Sequence, residues 1–158
     1  MSTKTPATQM LEKAKVGFET REYDYNPGHE GKALQAAEAI GADPARVLKT
    51  LMVEVDGKPC CTVLAANHTL SMKRVASAFG GKSAEMMDPV KAERLTGYHT
   101  GGISPFGQRK RCPTVFDAGV MEFDTVVING GKRGMMVVLA PADAVAVTGG
   151  KALPLIAE

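Results

Sequence analysis

The sequence is poor in aromatic residues: Phe, Trp and Tyr together make up 5% of its 158 residues, and tryptophan is missing altogether. Apolar residues still account for 44% and charged residues for 23%, a balance that is typical of a globular protein and excludes a disordered chain. No apolar run approaches the ~20 residues that a membrane-spanning helix needs. The first fifteen residues contain no apolar block, so we expect no secretory signal and a cytoplasmic protein.

Cysteine is also scarce, and its pattern does not indicate disulfide bonds. The three cysteines, Cys60, Cys61 and Cys112, are odd in number, and two of them are adjacent. This pattern favours reduced thiols. The neighbouring Arg111 is a cation of the kind that lowers a thiol pKa. Because Cys112 falls where a strand is predicted to begin, we expect a buried and unreactive cysteine instead.

Metal-ligand spacings are missing as well. His29, His68 and His99 are far apart in the sequence, and neither an H-x-E nor a C-x-x-C pair occurs. These absences disfavour a zinc deaminase or zinc hydrolase, and we predict no metal and no cofactor.

Two short segments resemble catalytic motifs but lack essential parts. Gly81-Lys82-Ser83 looks like the end of a phosphate-binding loop, yet Ala76 stands where the motif needs glycine, and the flanking helix and strand come in the reverse order. Ser104 sits in a segment like a nucleophile elbow, but the following Pro105 has no N–H to donate to an oxyanion. Neither an NTPase nor a serine hydrolase is therefore expected.

Helix and strand patterns alternate along the chain. Polar caps, prolines in the first turn and terminal glycines predict six helices. These are Pro6 to Gly17, Lys32 to Ile40, a short helix from Asp43-Pro44, Met72 to Phe79, Asp88-Pro89 to Gly97, and Pro141 to Val147. The predicted strands are Phe18 to Tyr25, Thr50 to Val55, Pro59 to Ala66, Ala84 to Met87, Thr114 to Phe116, Thr125 to Ile128, and Met135 to Leu139.

Several of these strands are joined by predicted hairpins, most clearly at Asp56-Gly57. Hairpins favour a mixed sheet over a doubly wound parallel one. Loops are predicted at Asn26–Gly28, Tyr98–Gly107 and Asn129–Gly134. We predict a single domain over residues 1–158, of the α/β or mixed α+β class.

Basic residues cluster although the net charge is only +2. The clusters are Arg109, Lys110 and Arg111, then Lys132 and Arg133. Glycine pairs at 101–102 and 130–131 permit close approach of the backbone to a ligand, and successive backbone N–H groups can bind an anion. Alternatively, the glycines serve tight turns and the basic side chains are merely solvated. The residues alone leave both interpretations open.

Three ordered segments together resemble the YbaK family of bacterial Cys-tRNA(Pro) deacylases, which are related to the editing insertion domain of prolyl-tRNA synthetase. The segments are Val47–Leu51 (VLKTL), Thr96–Arg111 (TGYHTGGISPFGQRKR) and Gly130–Gly134 (GGKRG). The resemblance covers essentially the whole chain and implies a mixed, partly barrel-like sheet surrounded by helices. It implies that the chain clears mischarged aminoacyl-tRNA(Pro), in a complex with prolyl-tRNA synthetase, with no membrane or DNA partner.

The resemblance also implies roles for particular residues. Lys49 is the residue most needed for activity, acting as a cationic anchor for the terminal phosphate or adenosine, and residues 101–107 form the loop that holds the substrate carbonyl. The implied substrate-binding residues are Tyr23, Thr50, Gly101, Gly102, Ile103, Ser104, Pro105, Gly107, Asn129, Gly130, Gly131 and Met136. The implied tRNA-binding residues are Arg109, Lys110, Arg111, Lys132 and Arg133.

Two positions depart from the family pattern and bear on the amino-acid preference. Asn129 stands where the best-known members have serine, and Met136 where some have a polar residue. The family precedent is attack of the substrate's own thiol on its carbonyl, which needs positioning and charge stabilisation in place of a protein base. The alternatives are a related editing hydrolase for alanine or another small amino acid, and a non-catalytic module that binds tRNA or a synthetase.

Overall fold

The computed structural model describes residues 4–26 and 32–157. Its helices are α1 (Pro6–Lys13), α2 (Lys32–Ile40), α3 (Met72–Ala78), α4 (Pro89–Thr96) and α5 (Pro141–Thr148). Its strands are β1 (Glu19–Glu22), β2 (Leu48–Val55), β3 (Lys58–Ala65), β4 (Ala84–Met86), β5 (Thr114–Asp117), β6 (Val126–Lys132), β7 (Met135–Leu139) and β8 (Lys151–Leu153). In the part of the chain described, no helix has the length and apolar character to cross a membrane.

The helices begin at the side chains that the sequence marks as caps. Thr5 and Thr8 form a reciprocal capping box at the start of α1. Ser71 accepts a hydrogen bond from the Arg74 amide at the start of α3, and Asp88 caps α4 in the same way. These local bonds explain why the starts of these helices are predictable from the sequence.

The strand pairing is mixed, as predicted, but the strands form two sheets where one was expected. One sheet has the order β4-β2-β3-β5-β8, with antiparallel pairs around β2 and parallel pairs around β5. The other has the antiparallel order β1-β7-β6. The β2–β3 hairpin turns at Asp56 and Gly57, both with positive φ. An isolated bridge between Val47 and Val127 joins the two sheets beside the start of β2.

The glycine-rich segment after α4 belongs to the core. Tyr98 and Phe106 are buried in the main hydrophobic cluster, together with side chains from both sheets. The Tyr98 hydroxyl donates a hydrogen bond to the Phe106 carbonyl oxygen at 2.6 Å, which closes the segment on itself. The loop that contains the predicted carbonyl-binding residues is therefore anchored to the core by two buried aromatic rings.

Some predicted boundaries are wrong, and each error has a local or a long-range cause. Asp43-Pro44 begins a turn and not a helix, because Asp43 caps the Ala45 amide and β2 starts a few residues later. Helix α1 ends at Lys13, before a left-handed Lys15, instead of continuing to Gly17. The first strand covers four of the eight predicted residues.

Other errors concern pairing between distant segments. Strand β6 continues through Lys132, where a loop was predicted from Asn129, because it pairs with β7 across a bulge. Strand β8 and a short 3-10 helix at Ala118–Glu122 were not predicted. His29 and most of the predicted Asn26–Gly28 loop lie outside the described residues.

Candidate active site

A cavity of about 340 Å³ opens between α2, β2, the β4–α4 segment and the loop after α4. Seven of the predicted substrate-site residues line it: Tyr23, Lys49, Thr50, Gly101, Ile103, Asn129 and Met136. The other walls are mainly apolar: Ala33, Ala36, Leu48, Leu51, Met52, Met86, Met87, Pro89 and Ala92, with Lys32 and Thr100 adding polar groups. The cavity thus joins residues that are more than 100 positions apart in the sequence, and it has the size and mixed lining of a small-molecule site.

Lys49 supplies the cationic group of this cavity from the start of β2. Its Nζ donates a hydrogen bond to the Ala66 carbonyl oxygen at 3.3 Å, and it forms no salt bridge with any residue in the described ranges. Burial lowers the pKa of this half-buried amine. A cation in such surroundings attracts a phosphate or a developing oxyanion more strongly than it would in water.

Two residues with hydroxyl groups, Thr50 and Tyr23, also line the cavity. The Thr50 Oγ1 is buried and has no hydrogen-bond partner among the residues described. An unpaired buried hydroxyl is costly, which makes it a candidate contact for a bound ligand. Burial raises the pKa of Tyr23, so its phenol is protonated at neutral pH and can donate a hydrogen bond.

The loop segment Thr100–Gly101 is anchored by side chains on both sides. The Thr100 amide donates to Glu93 at 2.7 Å, and the Thr100 carbonyl oxygen accepts from the Arg133 guanidinium at 2.8 Å. Gly101 has a left-handed φ of 91°, and Tyr25 occupies the space that a Cβ would need. Only glycine fits here, because a side chain would meet both strain and a collision.

Two backbone amides of the same loop have no hydrogen-bond partner in the part of the chain that the structure describes. The N–H groups of Gly101 and Ile103, which both line the cavity, take no partner in residues 4–26 and 32–157. Amide donors beside a cation are the groups that can polarise an ester carbonyl and stabilise the oxyanion that forms from it.

Asn129 lines the cavity, but its amide is bonded within the protein. Its Oδ1 accepts from the amides of Gly131 (2.7 Å) and Lys132 (3.2 Å). Its Nδ2 donates to the carbonyl oxygens of Gly101 and Lys132, each at 3.3 Å. The side chain therefore connects the β6 bulge to residues 101–107, the predicted carbonyl-binding loop. The sequence did not indicate this connection.

Met136 pairs with Asn129 across the β6–β7 ladder and is 2% exposed. Its thioether packs in a small cluster with Ala36 and Ala37 of α2. At this position the wall of the cavity is apolar and uncharged.

The remaining predicted substrate residues lie behind the cavity wall. Gly107 packs against the backbone of Pro6 at the start of α1, and the fully buried Ser104 caps the Phe106 amide at 3.2 Å. None of these residues lines the cavity: Gly102, Ser104, Pro105, Gly107, Gly130 and Gly131. Their close packing supports the loop instead of presenting groups to a ligand.

The two basic clusters lie in different places. Arg133 reaches the carbonyl-binding loop and stacks over the Tyr25 ring at 5.3 Å, beside the cavity. The segment 109–111 lies beyond the end of α4, where its backbone donates to Thr96 and Leu95. Arg111 donates to the Thr148 carbonyl oxygen at the end of α5. The two clusters therefore contact different parts of the structure.

Sequence reasoning missed Tyr25 and Glu93, which hold the loop in place. Tyr25 is flanked by Lys32 and Arg133, with its ring centre 5.4 and 5.3 Å from their charged groups, and it contacts Gly101. Its spacing of two from Tyr23 is a weak signal that both face the same side of an extended segment. For Glu93 no sequence signal exists, because its partner Thr100 lies beyond the end of its helix.

The cysteines are poor candidates for nucleophiles. Burial raises the pKa of Cys112 to about 11, and it also raises the pKa of Cys60 and Cys61. All three thiols are therefore protonated at neutral pH. Cys112 is partly buried, whereas a buried cysteine was predicted.

Comparison with known proteins gives consistent results. Residues 29–147 match the model of the aminoacyl-tRNA editing domain. An Enterococcus faecalis protein provisionally named Cys-tRNA(Pro)/Cys-tRNA(Cys) deacylase EbsC is 35% identical over 94% of this chain and 90% of its own. The Escherichia coli multifunctional Ser/Thr-tRNA deacylase ProXp-y is 30% identical over 72% of this chain and 71% of its own.

A solved structure has the same fold. It is described as a proposed trans-editing enzyme for prolyl-tRNA synthetase, and it superposes with a TM-score of 0.84 over 97% of this chain and 96% of its own, at 22% identity.

Proposed function

We propose that this chain, which belongs to the aminoacyl-tRNA editing family, clears mischarged Cys-tRNA(Pro). Membership rests on the family match over residues 29–147 and on the 35% identity over most of the chain. The protein is therefore an aminoacyl-tRNA deacylase. The identities of the amino acid and of the tRNA are proposals.

One observation carries the proposal: a lysine without a carboxylate partner, and two residues whose backbone amides have no hydrogen-bond partner in the described ranges, line one largely apolar cavity. Lys49 provides a positive charge without a neutralising carboxylate in the described structure. Gly101 and Ile103 provide N–H donors on the loop side of the same cavity. This set can bind and polarise an ester next to a phosphate, but no group in it is placed as a strong nucleophile.

A substrate that carries its own nucleophile suits such a site. In Cys-tRNA, the thiol loses its proton and the sulfur attacks the ester carbonyl carbon. The bond from that carbon to the ribose oxygen breaks, a cyclic thiolactone leaves, and the ribose oxygen takes up a proton. Lys49 holds the terminal phosphate or adenosine, and the loop amides stabilise the oxyanion.

The cavity lining supports a small and weakly polar side chain. Met136 and Ala36 give an apolar wall. Proline has no thiol, so correctly charged Pro-tRNA(Pro) cannot react by this route. Selection of proline tRNA is assigned to a complex with prolyl-tRNA synthetase, and the reaction to the cytoplasm.

A second candidate is hydrolysis of another small aminoacyl ester, such as alanine or serine. The unpaired Thr50 hydroxyl and the similarity to a Ser/Thr-tRNA deacylase favour it. Water would then replace the substrate thiol as the nucleophile, with the same oxyanion donors.

S-methylcysteinyl-tRNA(Pro) separates the two candidates. It matches Cys-tRNA(Pro) except that its sulfur cannot form a neutral thiolactone. Release of cysteine with no release of S-methylcysteine is the expected result. Equal rates for both substrates, or rapid release of alanine and serine, would show that the reaction is hydrolysis and not attack by the substrate thiol.

A further inference from the structure

A second cavity, of about 450 Å³, adjoins the candidate active site. Ala92 of α4 lines the first cavity, whereas Leu95, three residues later and on the same face of the helix, lines the second. Met52 of β2 borders both. The two cavities are therefore neighbours along one face of α4.

The second cavity combines apolar walls with a positively charged rim. The apolar lining consists of Met52, Val55, Pro59, Cys60, Phe79, Leu95, Cys112 and Pro113. The charged lining residues are Lys58, Lys110, Arg111 and Asp56. Asp56 is already bonded to the amides of Lys82 and Ser83 at 3.0 to 3.2 Å, which lowers its pKa. Three cations therefore line this cavity with one carboxylate, and that carboxylate also interacts with Lys58.

We propose that this cavity receives one unpaired nucleotide of the substrate's 3′ tail, with the base among the apolar walls and a phosphate at Lys110 and Arg111. The inference rests on the proposed function, because it assumes that the 3′ end of a tRNA enters the first cavity. Sites for single-stranded nucleic acid have this composition, a flat apolar or aromatic surface for the base beside cations for the backbone. Phe79 supplies the aromatic surface here.

The separation of the cavities fits a short stretch of single strand. Ala92 and Leu95 are about 4.5 Å apart along the axis of α4, and stacked nucleotides advance about 3.4 Å each. About one or two nucleotides therefore reach from one cavity to the other.

The first experiment measures binding alone, so it does not depend on turnover. A fluorescently labelled, uncharged oligonucleotide with the sequence of the tRNA(Pro) 3′ tail is titrated with wild type, Lys110→Ala, Lys110→Arg and Lys13→Ala. Lys13 is an exposed lysine on α1, away from the second cavity, and serves as the matched control. Lys110→Ala should bind about threefold to tenfold more weakly and lower the salt slope by about 0.7. Lys110→Arg and Lys13→Ala should bind like wild type.

The second experiment compares two substrates that share the reacting end. One is a cysteinyl minihelix with the full 3′ tail, and the other is cysteinyl adenosine, which cannot reach the second cavity. Lys110→Ala should raise KM for the minihelix and leave cysteinyl adenosine unchanged.

The outcomes distinguish this inference from the proposed function. If wild type turns over neither substrate, the Cys-tRNA assignment fails and the binding titration alone decides about the cavity. If Lys110→Ala binds the oligonucleotide like wild type, or impairs both substrates equally, the nucleotide subsite is overturned. Retained binding in that variant would leave a protein partner as the occupant of the cavity.

Discussion

At the residue scale, Lys49 combines a cost in stability with a gain in function. Its amine is partly removed from water without a carboxylate to balance the charge in the described structure. Burial that disfavours the charged form destabilises the folded protein as long as the amine stays protonated. We expect a bound phosphate or oxyanion to supply the missing partner.

Replacing Lys49 by methionine should therefore leave stability intact while activity falls about 100-fold. Because the pKa is lower in the folded state, the unfolded state binds more protons as pH rises through the folded pKa, and wild type gains stability over that range. Thermal unfolding at neutral pH should occur at an equal or higher temperature in Lys49→Met than in wild type, with the difference shrinking toward pH 10. A large loss of stability in Lys49→Met, absent in Lys13→Met, would contradict this account.

The charge of Lys49 also predicts a pH dependence of catalysis. If the protonated amine is the active form, wild type should lose activity as pH rises through the lowered pKa of Lys49. Lys49→Arg keeps its charge to higher pH. The ratio of wild-type to Lys49→Arg rates should therefore fall with increasing pH, measured on Cys-tRNA(Pro) with uncatalysed hydrolysis subtracted. A constant ratio would mean that the lysine charge is not required.

Asn129 acts through the loop that it holds. Asn129→Asp keeps acceptors for the Gly131 and Lys132 amides but loses both donated bonds and directs a carboxylate at the Gly101 carbonyl oxygen. Loss of these bonds costs about 1–3 kcal/mol, which lowers Tm by about 2–10 °C. We expect kcat to fall about tenfold with little change in KM. A raised KM with unchanged kcat would instead indicate that Asn129 contacts the substrate directly.

At the element scale, two glycine-rich segments meet backbone to backbone. A Cβ at Gly102 would lie 2.8 Å from the Arg133 nitrogen and 3.0 Å from the Lys132 carbonyl carbon. A side chain at position 102 would therefore push the β6–β7 turn away from the predicted carbonyl-binding loop. Gly17, in contrast, has no atom within 4 Å of its Cβ position and no positive φ.

The pair Gly102→Ala and Gly17→Ala tests this contact with the same chemical change. Both substitutions reduce the entropy of the unfolded chain, which by itself stabilises by about 0.4–1 kcal/mol. Gly17→Ala should therefore be neutral or slightly stabilising and fully active. Gly102→Ala should lower both Tm and kcat. Equal behaviour of the two variants would show that the segments are not in tight contact.

The elements that could be predicted from the sequence are those fixed by neighbouring residues. Caps at Thr5, Ser71 and Asp88 and the turn at Asp56-Gly57 are local, and all four are found where predicted. Strand β8 exists because it pairs with β5, more than 30 residues earlier, and the extension of β6 depends on β7. Pairing between distant segments does not produce a recognisable local sequence pattern.

The candidate site shows the same division. The family resemblance identified Lys49, Tyr23 and Gly101, and the structure brings them to one cavity. The resemblance could not show that the Asn129 side chain bonds to the backbone of both its own turn and the Gly101 loop, because this depends on how two distant loops approach each other. It also could not show that Gly107 faces α1 instead of the substrate.

At the scale of the whole molecule, positive charge is distributed around two cavities despite the net charge of only +2. Lys132 and Arg133 lie beside the first, and Lys110 and Arg111 line the second. A tRNA bound across both would contact phosphates at two separate places, and its affinity would depend strongly on salt.

Lys132→Ala removes one of these charges without touching the loop, since Lys132 contacts Asn129 through its backbone. We expect KM for charged tRNA to rise a few-fold, kcat to stay the same, and the slope of log affinity against log salt to fall by about 0.7–0.9. Lys13→Ala should change none of these. An unchanged salt slope in Lys132→Ala would exclude this side chain from the phosphate contacts.

The most direct test of the central claim is release of radiolabelled amino acid from Cys-tRNA(Pro), Ala-tRNA(Pro) and Pro-tRNA(Pro) by wild type and Lys49→Ala. The account predicts rapid loss of cysteine with wild type only, slow loss of alanine, and intact Pro-tRNA(Pro). Loss of alanine but not cysteine would contradict the proposed specificity. Stable Cys-tRNA(Pro) in the presence of wild type, with or without prolyl-tRNA synthetase, would contradict the assignment of this substrate altogether.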